Sequence, residues 1–477
     1  MASGFVALSG CGGSGSSASW PFANRDLAST RASPDSGINR GNVGRLHVLW
    51  RFSFPARPGE SGAFTATPVV TGGVVYVEDM ESTVFALDLH DGHTLWRRGF
   101  VYAASPGPNG LAVADGRVYG ATDRIVFALS ARTGKVLWRH VLVRLGEPLI
   151  DVAPQVAGDV VLASTIGLPP NGHGALYALD AATGALRWRL ATIKGSWRFP
   201  KEAGGGGAWY PPSVDGGEVF WGTGNPTPFG GSRKHPNGGA YAGRALYTDS
   251  LVVADIRTGR LEWYDQVTSH DVRDYDFQLS PLLVSSGGEK LVIGAGKAGV
   301  VIAWDRARHR RVWQAEVGVH RNDRGLLPDR PISVCPGLFG GVETPMAYSD
   351  GMLFVPVVDL CMQGSAFGYP SLRGIDVSRG RGELIALDAA TGARRWKQKL
   401  PAPDFGCATV ADGVVFTSTF AGRVYAFDTR DGTLLWSTRL RAGVNACPSL
   451  AGNTLLLGAG VPTAKGGAPE LDAFSPR

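Results

Sequence analysis

The chain has 477 residues, 44% hydrophobic and 18% charged, with a formal net charge of +6. Its Lys and Arg residues are scattered, without the basic run or aromatic-basic stripe that grips nucleic acid, which argues against that class of partner. No apolar run reaches the roughly 18 residues that span a bilayer, and 67 Gly with 30 Pro predict many short strands joined by tight turns.

Residues 1–37 read as separate from the rest of the chain. Leu8-Ser9-Gly10-Cys11 resembles a bacterial lipobox, in which the Cys is acylated after signal cleavage, and Gly12-Gly13-Ser14-Gly15-Ser16-Ser17 reads as a flexible tether. A basic n-region and a full apolar h-region are missing ahead of it, so the alternative is a tail in which Cys11 stands by chance. On the lipobox reading Cys11 is the lipidation site and the only membrane contact, and the protein is exported to the periplasm or cell surface. The packed domain is expected over 38–477, with 1–37 outside it.

Leu46-His47-Val48-Leu49-Trp50 is the first strand, and it ends on a Trp that lacks the motif found ahead of later ones. That motif is Ala86-Leu87-Asp88, then Gly92, then Trp96. It recurs with Trp138, Trp188, Trp263, Trp313, Trp396 and Trp436, and two copies are degenerate: Ser130 replaces the Asp before Trp138, and the copy before Trp313 lacks the turn Gly. Gly supplies the positive φ of a tight hairpin, the Asp can bond the backbone of that turn, and the Trp can dock between adjacent sheets. The Trp residues of this register therefore read as structural wedges.

Most intervals between these Trp residues fit a four-stranded blade of about 40–50 residues. Long insertions lie between Trp188 and Trp263 and between Trp313 and Trp396, where a propeller builds its binding face. The half-unit missing before Trp50 is supplied by Leu455-Leu456-Leu457 and Leu471-Asp472-Ala473-Phe474 at the other end. The expected fold is all-β: an eight-bladed β-propeller with tryptophan-docking motifs, closed into a ring by N- and C-terminal strands. Four further cysteines, Cys335, Cys361, Cys407 and Cys447, are an even number that suits an oxidising compartment, the alternative being four buried thiols. No CxxCH is present for a c-type haem.

Several stretches resemble the quinoprotein alcohol dehydrogenases that carry pyrroloquinoline quinone (PQQ), and the likeness covers nearly all of residues 20–470. In chain order they are Ile38-Asn39-Arg40 with Asn42-Val43 and Leu46, Gly205-Gly206-Gly207-Ala208-Trp209, Trp221-Gly222-Thr223-Gly224-Asn225-Pro226, and His270-Asp271-Val272-Arg273-Asp274-Tyr275-Asp276. The resemblance implies that Trp209 is the floor under the planar quinone. It implies that Asn225, Asp274 and Asp276 are ligands of Ca²⁺ or a lanthanide, Asp276 matching the extra carboxylate of lanthanide-using members. Asp274 would also be the general base that takes the alcohol proton as hydride passes to the quinone. Lys297 would polarise the acceptor carbonyl, and Asp359 would make a polar contact to the quinone. Relatives also place a disulfide where Cys335 and Cys361 stand, whereas the residues leave the pairing of Cys407 and Cys447 open.

Departures from the pattern accompany the resemblance. Gly167 stands where the family's metal-binding Glu is expected, Ala103 and Ala104 where it often has vicinal cysteines, and no Arg lies near Ser105-Pro106-Gly107. Arg273 replaces a common Trp. Two functions are therefore expected to compete: a dehydrogenase oxidising a small or polymeric alcohol and passing electrons to a separate acceptor, or a non-catalytic propeller lipoprotein that binds protein or polysaccharide.

Overall fold

The computed structural model describes residues 19–55, 63–100, 109–144, 149–167, 172–193, 204–239, 244–369, 376–462 and 467–476. Cys11, Ala103, Ala104 and Ser105-Pro106-Gly107 lie outside them. Eight four-stranded antiparallel sheets are arranged as the blades of a propeller. Their innermost strands are Val69–Thr71, Ala112–Ala114, Gln155–Ala157, Ser213–Asp215, Leu282–Ser286, Ala347–Ser349, Thr409–Ala411 and Ser449–Ala451, through which neighbouring blades meet. The two long insertions add small two-stranded sheets, Gly204–Gly205 with Pro226–Thr227 and Ile332–Val334 with Met362–Gly364. No helix of the described residues is long and apolar enough to cross a membrane.

The eighth blade takes three strands from the C-terminus and its outer strand, Leu46–Ser53, from the start of the chain. Leu46 pairs with Pro476 and Trp50 with Ala473, so the ring is closed by backbone bonds between its two ends.

The motif letters acquire a second role in three dimensions. Each turn Gly is the seat for the Trp of the preceding blade: a Cβ on Gly92, Gly134, Gly184, Gly259, Gly392 or Gly432 would stand 2.5–2.8 Å from the indole of Trp50, Trp96, Trp138, Trp188, Trp313 or Trp396. These indole N–H groups donate to a carbonyl of the next blade, as Trp96 does to Ala131 O at 2.9 Å and Trp396 to Thr429 O at 2.9 Å. In the copy without glycine, His309 takes the left-handed turn position at φ 53° and stacks its ring on Trp263.

The N-terminal segment corrects the boundary expected at residue 37. Trp20 is fully buried and exchanges backbone hydrogen bonds with Val70, and Pro21 O, Leu27 O, Ala28 O, Thr30 O and Arg31 O accept from Val113, Val214, Leu283, Tyr348 and Val410. Each of those partners lies in a different innermost strand, so residues 20–31 stitch six blades together across one end of the channel. Arg31, also fully buried, is the centre of the plug: its guanidinium donates to the carbonyls of Ala23, Ala408 and Pro448, to Asn24 Oδ1 and to Thr409 Oγ1. The segment has no strand periodicity because it is bound by its backbone and by one cation.

Two disulfides are formed. Cys335 joins Cys361 across the second insertion, and Cys407 joins Cys447 just ahead of the innermost strands of the last two blades.

Candidate active site

Residues four positions ahead of innermost strands gather around one cavity. Trp209, Gln278, Glu343, Phe405 and Asn445 all occupy that position, ahead of Ser213, Leu282, Ala347, Thr409 and Ser449, and all line one cavity of about 150 Å³. Tyr210, Lys297 and Phe339 complete it. Larger clefts of about 490 and 750 Å³ lie outside the loop 270–275 and along the N-terminal segment, and neither is lined by Trp209, Asp274 or Lys297.

Trp209 is delivered by the glycine run ahead of it. A Cβ on Gly207 would stand 2.4 Å from Ile166 Cα, and one on Gly205 2.1 Å from Asn225 O, so only glycines let this backbone pass between its neighbours. The adjoining Gly224 is equally confined, with Asp276 Oδ1 and Trp209 Nε1 2.6 and 3.2 Å from where its Cβ would be.

The acidic loop is shaped by Asp271, whose carboxylate accepts from the amides of Arg273 at 2.7 Å and Tyr275 at 2.6 Å. The turn holds Asp274 at φ 67° and presents Asp274 and Asp276 to one cation. Lys297 Nζ lies 2.8 Å from Asp274 Oδ2 and 2.6 Å from Asp276 Oδ2, while Asp276 Oδ1 accepts from the Asn225 amide at 2.6 Å. Trp209, Asn225, Asp274, Asp276 and Lys297 are thus brought together from four separate stretches of chain. Arg273 donates to the carbonyls of Asn322, Arg324 and Gly325, tying the loop to the second insertion.

Burial dominates the electrostatics. It pushes Asp274 up to about 7 against the pull of Lys297, with Asp276 adding to the rise. Burial works against the Lys297 charge, yet Asp274 and Asp276 hold its pKa well above the usual lysine value. Glu343 is pushed up to about 8 by burial, opposed by Lys297 and reinforced by Asp276 and Asp274; its Oε2 accepts from Gln278 Nε2 at 3.0 Å.

Against this geometry stand the comparisons. A family model described as outer membrane protein assembly factor BamB matches residues 46–225 and 364–473. A second, described as the β-propeller domain of glucose/ethanol/alcohol dehydrogenase, matches 143–319, the stretch that carries Trp209, Asn225, Asp274 and Lys297. The quinohemoprotein alcohol dehydrogenase of Comamonas testosteroni is 27% identical, covering 90% of this chain and 70% of its own length. The chain belongs to the quinoprotein alcohol dehydrogenase family. The lanthanide-dependent methanol dehydrogenase of Methylacidiphilum fumariolicum is 26% identical over 90% of this chain and 82% of its own. Among solved structures, the Comamonas testosteroni enzyme superposes with a TM-score of 0.83 at 23% identity, covering 96% of this chain and 80% of that one. A europium-containing methanol dehydrogenase gives 0.82 at 22%, covering 96% and 98%. BamB from Moraxella catarrhalis gives 0.56 at 14%, covering 90% and 97%.

Asp359, for which the resemblance implies a contact to the quinone with loop capping as the alternative, takes the alternative place. Asp359 stands apart from the cavity and caps a loop, its Oδ1 accepting from the Val319 amide at 2.9 Å. Gly167 has no room for a longer side chain in this backbone, since its Cβ would lie 2.3 Å from Gly205 O.

Two acids that sequence reasoning passed over lie here: Glu343 lines the cavity, and buried Asp249 bonds the Gly224 carbonyl through its amide. Glu343 was findable from its place four residues ahead of a strand, whereas Asp249, in Thr248-Asp249-Ser250, carries no comparable signal. The donors fit a hard cation, with the carboxylates of Asp274 and Asp276 and the side-chain oxygen of Asn225. Trp209 and Phe405 give the cavity aromatic walls for a flat ring system.

Proposed function

We propose that the chain is an alcohol-oxidising quinoprotein, with PQQ against Trp209 and Ca²⁺ or a lanthanide among Asn225, Asp274 and Asp276. The observation that carries this reading is the Lys297 ion pair with both Asp274 and Asp276 at the edge of the Trp209 cavity. When bound, the quinone supplies the two-electron acceptor for the alcohol hydride.

Asp274 is the general base for the alcohol hydroxyl. Its raised pKa suits that work, because a base is most effective when its pKa lies near the working pH. Lys297 keeps a positive charge beside the acceptor and holds Asp274 in place. Trp209 and Phe405 orient the ring and keep water from its faces. A separate carrier takes the electrons onward. The two disulfides favour an oxidising compartment outside the cytoplasm, and Cys11 would supply a lipid anchor there.

The test is incubation of the purified protein with PQQ and either Ca²⁺ or La³⁺, followed by absorption spectra, metal analysis and dye-linked assays on primary, secondary and polymeric alcohols. A quinone-loaded protein that reduces dye on alcohol addition is expected. Failure to take up quinone with either metal would overturn the reading and leave a protein- or polysaccharide-binding propeller.

A further inference from the structure

We propose that Asp249 is a further carboxylate ligand of the cation at this site, making up the negative charge that Gly167 does not provide. The inference rests on the cation reading above. Asp249 is tied by its backbone to the residues that surround that cation. Its amide donates to Gly224 O at 2.9 Å and its carbonyl accepts from Val267 N at 2.8 Å; the next residue after Gly224 is Asn225, whose amide is bonded to Asp276 Oδ1.

The side chain is what the fold leaves unexplained. Asp249 is 0% exposed, and neither carboxylate oxygen has a hydrogen-bond partner among the described residues. Its neighbours point their polar atoms elsewhere: Thr248 Oγ1 bonds Ala245 O, Ser250 Oγ bonds Thr248 O, Thr223 Oγ1 bonds Tyr247 O, and Gln266 Nε2 bonds Thr248 O. The backbone is left-handed at φ 49°, an unfavourable conformation for a residue with a Cβ. Packing alone would be served better by a neutral residue.

The charges facing Asp249 come from one place. Burial opposes its ionisation most, Asp271, Asp276 and Asp274 add to that, and Lys297 favours the charged form. Lys297 is already shared between two carboxylates, and Asp271 is occupied by two amides. A buried carboxylate facing like charges needs a cation. A hard divalent or trivalent ion, which takes about six to eight oxygens, answers that need. The oxygens are not yet gathered: among the described residues only half-buried Asp88 with exposed Asp91 and His93 are grouped with ligand atoms mutually within 4.8 Å. The ion therefore has to draw Asp249 in.

Tb³⁺ titration of the full chain without quinone, read by Trp-sensitised luminescence and by thermal melting, tests this on wild type, Asp249→Asn, Asp249→Ser and Asp276→Asn. Both Asp249 variants are expected to bind Tb³⁺ about tenfold or more weakly. They should also melt higher than wild type without metal and gain less on adding it, because the repulsion and the ligand are removed together. Wild-type affinity in the Asp249 variants, with binding lost in Asp276→Asn, would overturn this inference and spare the cation site. No Tb³⁺ binding by wild type would overturn both. A lower metal-free melting temperature in both Asp249 variants, or failure of both to fold, would make Asp249 structural and end the proposal.

Discussion

The rings of Trp263 and His309 stack with centroids 4.8 Å apart and planes 11° from parallel, in the one copy of the motif where the turn glycine is replaced. His309→Ala keeps the strained turn and loses the ring, and is expected to cost about 1–2 kcal/mol, read as a lower urea midpoint. His309→Gly should come within about 0.5 kcal/mol of wild type, because it recreates the seat used by the other blades. At a regular seat the opposite change is severe: Gly134→Ala puts a Cβ 2.5 Å from Trp96 at φ 65°, and is expected to cost more than about 2 kcal/mol.

The plug makes Arg31 a stability determinant. Arg31→Met retains bulk but abandons the carbonyls of Ala23, Ala408 and Pro448, and should cost about 3 kcal/mol in chemical denaturation. Deleting residues 1–37 should cost more still. Equal melting temperatures for the deletion and the wild type would refute the stitching role.

These two cases show how far the sequence could be read. The Asp, Gly and Trp letters reported the fold because each is dictated by a local requirement that repeats in every blade. The segment 20–37 was illegible because its bonds are backbone-to-backbone with strands scattered over the whole chain, which leaves no periodicity to detect. At the site, Trp209, Asn225, Asp274 and Lys297, which the family motifs picked out, stand together in the fold. Glu343 needed the strand register, and Asp249 needed three-dimensional burial.

Glu343 predicts a pH dependence for the metal-free, quinone-free protein. Its folded pKa of about 8 lies above its ordinary 4.5, so its stabilising contribution is complete below pH 4.5 and is lost as the pH rises through 8. Asp79, pushed up to about 6 by burial, adds a loss between its ordinary 3.8 and 6. The melting temperature should therefore fall from pH 5 to pH 8.5. Glu343→Gln should flatten the part above pH 6. An unchanged slope in that variant would remove Glu343 as the cause, with Lys297, Asp276 and Asp274 as the charges left facing the pocket.

Gly167→Glu, which would restore the family's carboxylate, is expected to damage the protein instead. Its first side-chain atom meets the Gly205 carbonyl, in the run that positions Trp209. Thermal melting should show a loss of several degrees or more, with no gain in Ca²⁺ affinity.

Asp274→Asn, which keeps an oxygen for the cation, is expected to lower kcat by roughly 10²–10⁴ while quinone uptake, followed by absorbance, changes little. Activity retained within tenfold would assign the base elsewhere, and Asp276→Ala should matter more with a lanthanide than with Ca²⁺.

The seam at which Leu46–Ser53 meets Glu470–Pro476 also governs how the molecule is made. Synthesis delivers Leu46–Ser53 before the other strands of the ring and Glu470–Pro476 after them, so Leu46–Ser53 waits unpaired while seven blades form. The stitching residues 20–31 wait with it, since their partners run from Val70 to Val410. A prematurely terminated chain therefore carries an open β-edge at each end, and its fate is aggregation or proteolysis. Moving the termini to a surface turn between blades, by linking residue 476 to residue 46, would let the eighth blade assemble as a local hairpin; such a permutant, which gives up the stitching residues, should refold faster and melt lower than the native connectivity.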